Sequence, residues 1–173
     1  AYEIRLSLVG SKMCIRDSQK GGVGKTTTAV NLSASLAASG KKCLLIDVDP
    51  QGNATTGLGI NKNELKYGIY GFIFHSVPVD KALSETPMAG LSLLGATGEL
   101  IGAEVEIYVE DEKEYLLKKH LVSIRDEYDY IFLDCPPSLG FLTVNAITAS
   151  DFVLVPLQCE YYALEGLSEL LKT

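Results

Sequence analysis

Gly21, Gly22 and Gly24, three glycines within four positions, run straight into Lys25-Thr26-Thr27, and the stretch from Lys20 through Val23 to Thr27 restricts what this chain can fold into more than any other. Glycines at that density let consecutive backbone N–H groups turn toward one point, a nest that suits an anion, and a helix starting directly afterwards adds the positive end of its dipole. A helix does follow: Ala29, Leu32, Ser33 and Leu36 recur at helical spacing and Gly40 stands where a C-terminal cap belongs, which predicts a helix from about Lys25 to Ser39. Lys25 then offers a point charge to the β- and γ-phosphates of a nucleotide, and the Thr26 hydroxyl a ligand for Mg²⁺.

A glycine-rich turn that merely caps a helix is the plainer reading of these residues. What comes next argues against it. Cys43 to Ile46 reads as a short buried strand, and it ends in Asp47-Val48-Asp49-Pro50-Gln51-Gly52-Asn53. Carboxylates and turn formers at the end of such a strand stand where ligands bind in parallel α/β sheets.

Apolar runs alternate with helix-period segments along the rest of the chain. Tyr67–His75, Val79–Ser84 and Leu100–Tyr108 are expected as helices and Leu91–Gly95 as a strand. One amphipathic helix is expected from Glu112 to Glu127 on the spacing of Leu117, Leu121 and Ile124, then a strand at Tyr130–Leu133 running into Asp134-Cys135-Pro136-Pro137. Phe141–Ala149 reads as helix, Phe152–Leu157 as strand and Leu164–Leu171 as the start of another helix. The expected fold is α/β and P-loop NTPase-like: a mainly parallel sheet with helices on both faces, truncated at the C-terminus so that its final strands are missing.

Composition narrows the function less than the motifs do. A formal charge of −7 gives this stretch no clustered Lys and Arg with which to hold nucleic acid by itself. No apolar run is long enough to span a bilayer and no secretory progression opens the chain, so a cytoplasmic location is expected. Cys14, Cys43, Cys135 and Cys159 lie far apart, without zinc-ligand spacing, and are expected as buried reduced thiols. His75, His120 and the nine tyrosines read as core or surface residues.

The P-loop departs from the ordinary pattern in two places: Gln19 takes the usual first glycine position and a second lysine, Lys20, stands at the front. With Ile46 to Thr55, Tyr128 to Gly140, and Pro156 to Glu160 with Ala163 to Leu167, the chain resembles the deviant Walker A ATPases, specifically the ParA/Soj family of chromosome- and plasmid-partitioning proteins. The resemblance implies slow, partner-stimulated ATP hydrolysis with ATP and Mg²⁺. It also implies an ATP-dependent homodimer in which Lys20 reaches the other subunit's nucleotide, so that Lys20, Lys25 and Asp49 are the catalytic residues. Asp49 would orient the attacking water, Thr26 and Asp134 would serve Mg²⁺, and Asp47 would support the metal shell. A ParB-like partner protein, non-specific DNA bound through the C-terminal part, association with the nucleoid and no membrane contact follow from the same resemblance.

Two other readings stay open at this point. A MinD-like membrane-associated ATPase shares the P-loop type, although the Asp-Pro-Gln-Gly-Asn-Ala-Thr run resembles ParA/Soj more. The chain as it stands is also open to being an inactive fragment of poor solubility, because its sheet would present an unpaired apolar edge. An iron–sulfur ATPase would need cluster-ligating cysteines, and Cys135 is better explained as a small buried residue. Residues 19–173 are expected to be the N-terminal part of a single, incomplete P-loop ATPase domain. Residues 1–18 are a doubtful lead-in, partly foreign to it, because the Arg16-Asp17 pair falls where a strand should finish; Ile4–Val9 would be that strand only across a ten-residue insertion.

Overall fold

Six strands form one sheet among the described residues: β1 (Ser11–Ile15), β2 (Cys43–Asp47), β3 (Ser84–Glu85), β4 (Leu91–Leu94), β5 (Tyr130–Asp134) and β6 (Phe152–Leu154). Their order is β3-β4-β2-β5-β1-β6, parallel at every junction except the antiparallel pair β3/β4. The computed structural model describes residues 11–15, 24–109, 111–138 and 140–156, and only the backbone of 11–15, Glu104 and Val109. Gln19, Lys20, Gly21, Gly22 and Val23, the block from Leu157 to Leu167, the helix expected at 164–171 and Cys159 lie outside the described residues, as does Ile4–Val9.

β2 and β5 are buried at all five positions. Such continuous apolar runs belong to strands covered on both faces. Period-two alternation divides them between two cores: Leu44, Ile46, Ile131 and Leu133 face one layer of helices, and Cys43, Leu45, Tyr130 and Phe132 face the other. Each large aliphatic side chain so buried contributes about 1.5–3 kcal/mol, which makes this double covering the main source of the sheet's stability.

Helix α1 (Lys25–Ala38) covers the second face. Its innermost residues are Ala29, Ser33 and Ala37, whereas Leu32 and Leu36 flank the contact half-buried. Small residues at that spacing let the helix approach the sheet closely, and the Ser33 hydroxyl is satisfied by donating to the Ala29 carbonyl at 2.7 Å. Gly40, at φ +82°, ends the helix as expected, its amide bonding the Ala37 carbonyl at 2.9 Å. A short helix missed by the periodicity, α2 (Asn53–Gly57), follows the aspartate loop.

The first face is covered by α3 (Gly68–Phe74), α5 (Ala103–Val109), α6 (Leu116–Leu121) and α7 (Phe141–Ala149), with the single turn α4 (Val79–Ala82) between α3 and β3. Three expectations change here. The helix expected at 79–84 stops at Ala82 because Leu83 is extended and Ser84 joins β3 opposite Leu93. The segment expected as one helix at 100–108 is a 3₁₀ turn, Gly98–Gly102, leading into α5.

The helix expected from Glu112 to Glu127 breaks into 3₁₀ turns at Lys113–Tyr115 and Arg125–Glu127 around α6. Asn145 of α7 accounts for the first break. Its Oδ1 accepts the Leu117 amide at 3.0 Å and its Nδ2 donates to the Lys113 carbonyl at 2.7 Å, so a neighbouring side chain takes up groups at the start of α6. Leu117, Leu121 and Ile124 are nevertheless buried, as their spacing required.

One strand of the sheet was not expected from the sequence. It is β1, Ser11–Ile15, which the sequence reading had placed inside the doubtful lead-in. β1 lies between β5 and β6, with Met13 in register with both Phe132 and Phe152. A strand supplied with hydrogen bonds from both sides needs only the apolar run Met13-Cys14-Ile15; Arg16-Asp17 falls after its last residue and does not oppose it. At the other end, β6 leaves Phe152 and Val153 almost half exposed.

Candidate functional site

All strands but β3 point the same way, so the carboxyl ends of β2 and β5 lie side by side and bring Asp47 and Asp134 into register. Beyond these ends opens a cleft of about 440 Å³, walled by Gly24 to Thr27 on one side and by Asp49, Gln51, Asn53 and Pro137 on the other. Gly24, at φ +94°, turns the chain into α1 in a conformation an L side chain rarely adopts, and its carbonyl accepts the Thr28 amide at 2.8 Å. The helix therefore opens directly on the cleft, with Lys25 only 8% exposed.

The two strand-end carboxylates are both fully buried but are treated differently. Asp47 is bound on both sides: Oδ2 accepts the amide and the hydroxyl of Thr55, each at 2.7 Å, and Oδ1 accepts the Asp49 amide at 3.3 Å. Among the described residues neither oxygen of Asp134 makes a well-formed hydrogen bond, although the Thr26 hydroxyl lies close enough to act on it. Asp49 stands nearer the opening, 7% exposed, with Oδ1 accepting the Gln51 amide at 2.9 Å.

Burial pushes the Asp47 carboxyl up to about 6; the Thr55 hydroxyl and amide oppose the shift and the charge of Asp49 adds to it. Burial likewise pushes Asp134 up to about 7, with the Thr26 hydroxyl offsetting part of the rise, Asp47 and Asp49 adding to it, and Lys25 opposing it. A fully buried carboxylate without a well-formed hydrogen bond, crowded by two others, is a costly arrangement unless a cation completes it. The residues present fit a divalent cation: oxygen donors only, beside the hydroxyl of Thr26.

A family model described as "AAA domain" matches residues 11–173. The chromosome partitioning protein ParA of Myxococcus xanthus is 53% identical over 165 residues, 95% of this chain and 58% of that protein. The sporulation initiation inhibitor protein Soj of Bacillus subtilis is 53% identical over 156 residues, 90% of this chain and 62% of its own length. The chain belongs to the ParA/Soj family. It spans about three fifths of these two relatives. Among solved structures, cobyrinic acid a,c-diamide synthase from Mycobacterium smegmatis, with bound ATP analog and magnesium, is 39% identical with a TM-score of 0.88, over 94% of this chain and 66% of that one.

Within this ParA/Soj chain the fold brings together Gly24, Lys25, Thr26, Thr27, Asp47, Asp49 and Asp134 at one end of the sheet. Lys20, Gly21, Gly22 and Val23 fall outside the described residues. The sequence reading gave no role to Thr55, Gln51, Asn53 or Pro137, all of which the fold places at or beneath the cleft. Their signal lies in the runs 46–55 and 128–140, which carry the family resemblance but mark only the carboxylates with a role. Of the cysteines, Cys43 and Cys135 are buried and form no disulfide among the described residues, and burial pushes the Cys43 thiol up to about 11, which leaves it unreactive.

The raised carboxyls give a pH dependence with a defined sign. In the folded, cation-free protein Asp134 and Asp47 keep protons that the unfolded chain, at its ordinary value of 3.8, has already released. The folded state therefore binds more protons between that value and about 7, and stability falls as pH rises through this window. The thermal midpoint of metal- and nucleotide-free protein is expected to be lower at about pH 8 than at about pH 5, and addition of ATP with Mg²⁺ should flatten the slope. A midpoint that instead rises across the window would show that these carboxyls are already ionised and paired.

Proposed function

We propose that this chain carries the nucleotide-binding site of a partitioning ATPase, which binds ATP with Mg²⁺, pairs with a second copy in that state and hydrolyses ATP slowly when a ParB-like partner stimulates it. The observation that carries the reading is Asp134: fully buried, without a well-formed hydrogen bond at either oxygen among the described residues, and close enough to the Thr26 hydroxyl at the start of α1 to be acted on by it. Partitioning is favoured over the amide synthesis named for the solved neighbour because identity to the partitioning relatives is 53% against 39%.

In this reading the backbone from Lys20 to Thr27 and the positive end of α1 hold the phosphates, and Lys25 neutralises the β- and γ-groups. Thr26 and Asp134 hold Mg²⁺, while Asp47, occupied by Thr55 and Asp49, holds the shell in place from behind. The metal, when bound, neutralises charge on the phosphate oxygens. Asp49 stands at the rim, where its carboxylate orients the attacking water. Lys20 reaches the nucleotide of the other subunit, which makes pairing depend on the γ-phosphate. Cytoplasmic action on the nucleoid, through non-specific DNA contacts of the C-terminal part, belongs to the same proposal; no helix among the described residues is long and apolar enough to cross a membrane.

Light scattering with and without ATP tests it on the protein that carries this sequence. ATP with Mg²⁺ is expected to drive pairing, and Lys20→Ala to keep ATP affinity near that of the parent while losing the pairing. Pairing that ignores nucleotide, or survives the substitution unchanged, would refute the shared-lysine arrangement.

A further inference from the structure

Thr55 does not line the cleft, yet its amide and its hydroxyl are both directed at the machinery around it. Its hydroxyl hydrogen goes to Asp47 Oδ2 at 2.7 Å and its hydroxyl oxygen accepts the Ala96 amide at 3.0 Å. Its own amide reaches the same Asp47 oxygen at 2.7 Å. Asp47 in turn passes the constraint on, because its other oxygen accepts the amide of Asp49 at 3.3 Å. A continuous set of bonds thus runs from the residues after β4, through Thr55 and Asp47, to the backbone that carries the rim carboxylate. Little slack remains in it: a Cβ added at Gly95 would stand 3.1 Å from both the hydroxyl and the methyl of Thr55.

We infer that Thr55 is a positioning residue for ATP hydrolysis, setting the place of the Asp49 carboxylate through Asp47 and the Ala96 amide. The inference rests on the ATPase reading above and deepens it. Thr55 touches no cleft wall and none of residues 24–27 in the bonds described, so its removal should leave the grip on the triphosphate intact and disturb the alignment of the water. An ångström of misplacement at a reacting centre is enough to cost about 100-fold in rate.

Steady-state hydrolysis of ATP with Mg²⁺ by the protein that carries this sequence is the test. Thr55→Val keeps the branched shape and removes the hydroxyl; it is expected to lower kcat about 10- to 100-fold with KM for ATP little changed. Thr55→Ser keeps the hydroxyl and gives up the methyl; it is expected to restore most of kcat. If Thr55→Val does not fold, Thr55→Ala is read in its place by the same criteria. A valine variant with parental kcat, a serine variant as impaired as the valine one, or a loss that falls on KM would each overturn the role, the first by showing that the side chain only fills space and the second by showing that the hydroxyl is not what sets the rate. Failure of the underlying ATPase reading looks different: the unsubstituted protein would itself neither bind nor turn over ATP.

Discussion

Replacing Lys25 by alanine is expected to weaken ATP binding about 100-fold or more, which is about 2.7 kcal/mol. Lys25 is the first residue of α1, buried to 8% exposure on the wall of the cleft, so its ammonium meets a triphosphate where water screens it little. Hydrogen bonds to charged groups contribute about 1.5–3 kcal/mol each, and the loss of two on the β- and γ-phosphates accounts for the figure without other terms. Titration of a fluorescent ATP analogue measures it. Because Lys25 also opposes the charge of Asp134, Lys25→Met, which keeps the buried stem, separates a loss of affinity from a loss of folding. Affinity within a few fold of the parent in a folded methionine variant would remove the basis for the phosphate site.

Asp49→Asn should act on the other constant. Of the three carboxylates, Asp47 and Asp134 are fully buried and only Asp49 lines the cleft. Asparagine keeps an oxygen for the Gln51 amide, so the loop retains its local bond, but it no longer offers a carboxylate to the water. General-base or water-orienting groups contribute about 10²- to 10⁴-fold, and a loss of kcat in that range with ATP affinity retained is the expected result. ATP-bound pairs should then persist, because hydrolysis no longer dissolves them. A parental rate in Asp49→Asn would move the water-orienting role elsewhere.

The contrast between Asp47 and Asp134 explains how far the sequence could lead. Both aspartates close a strand of buried residues, and both were legible from the sequence as strand-end carboxylates. Their division of labour was not. It depends on Thr55, eight residues away on a helix of one turn, too short to show a period, and on the Ala96 amide from another strand end. Helix α1 was legible because its cap, its glycine and its periodicity agree. The segment 112–127 was not, because its break is imposed by Asn145, a residue of α7 whose partners lie about thirty positions away. β1 was misjudged for a related reason: local charge after the strand weighed against it, whereas its place is fixed by ladders on both sides. The antiparallel addition of β3 rests on two residues and left no pattern to read.

The position of β1 between β5 and β6 carries a consequence for how the molecule is made. Ser11 finds its partner Tyr130 only after roughly 120 further residues have left the ribosome, and its second neighbour, β6, comes later still. The strand that precedes the glycine-rich segment is thus synthesised well before either of the strands that fasten it. Loop closure over so long a span precedes any reward from the contacts it makes, so a nascent or interrupted chain displays its glycine-rich turn well before it can hold a nucleotide.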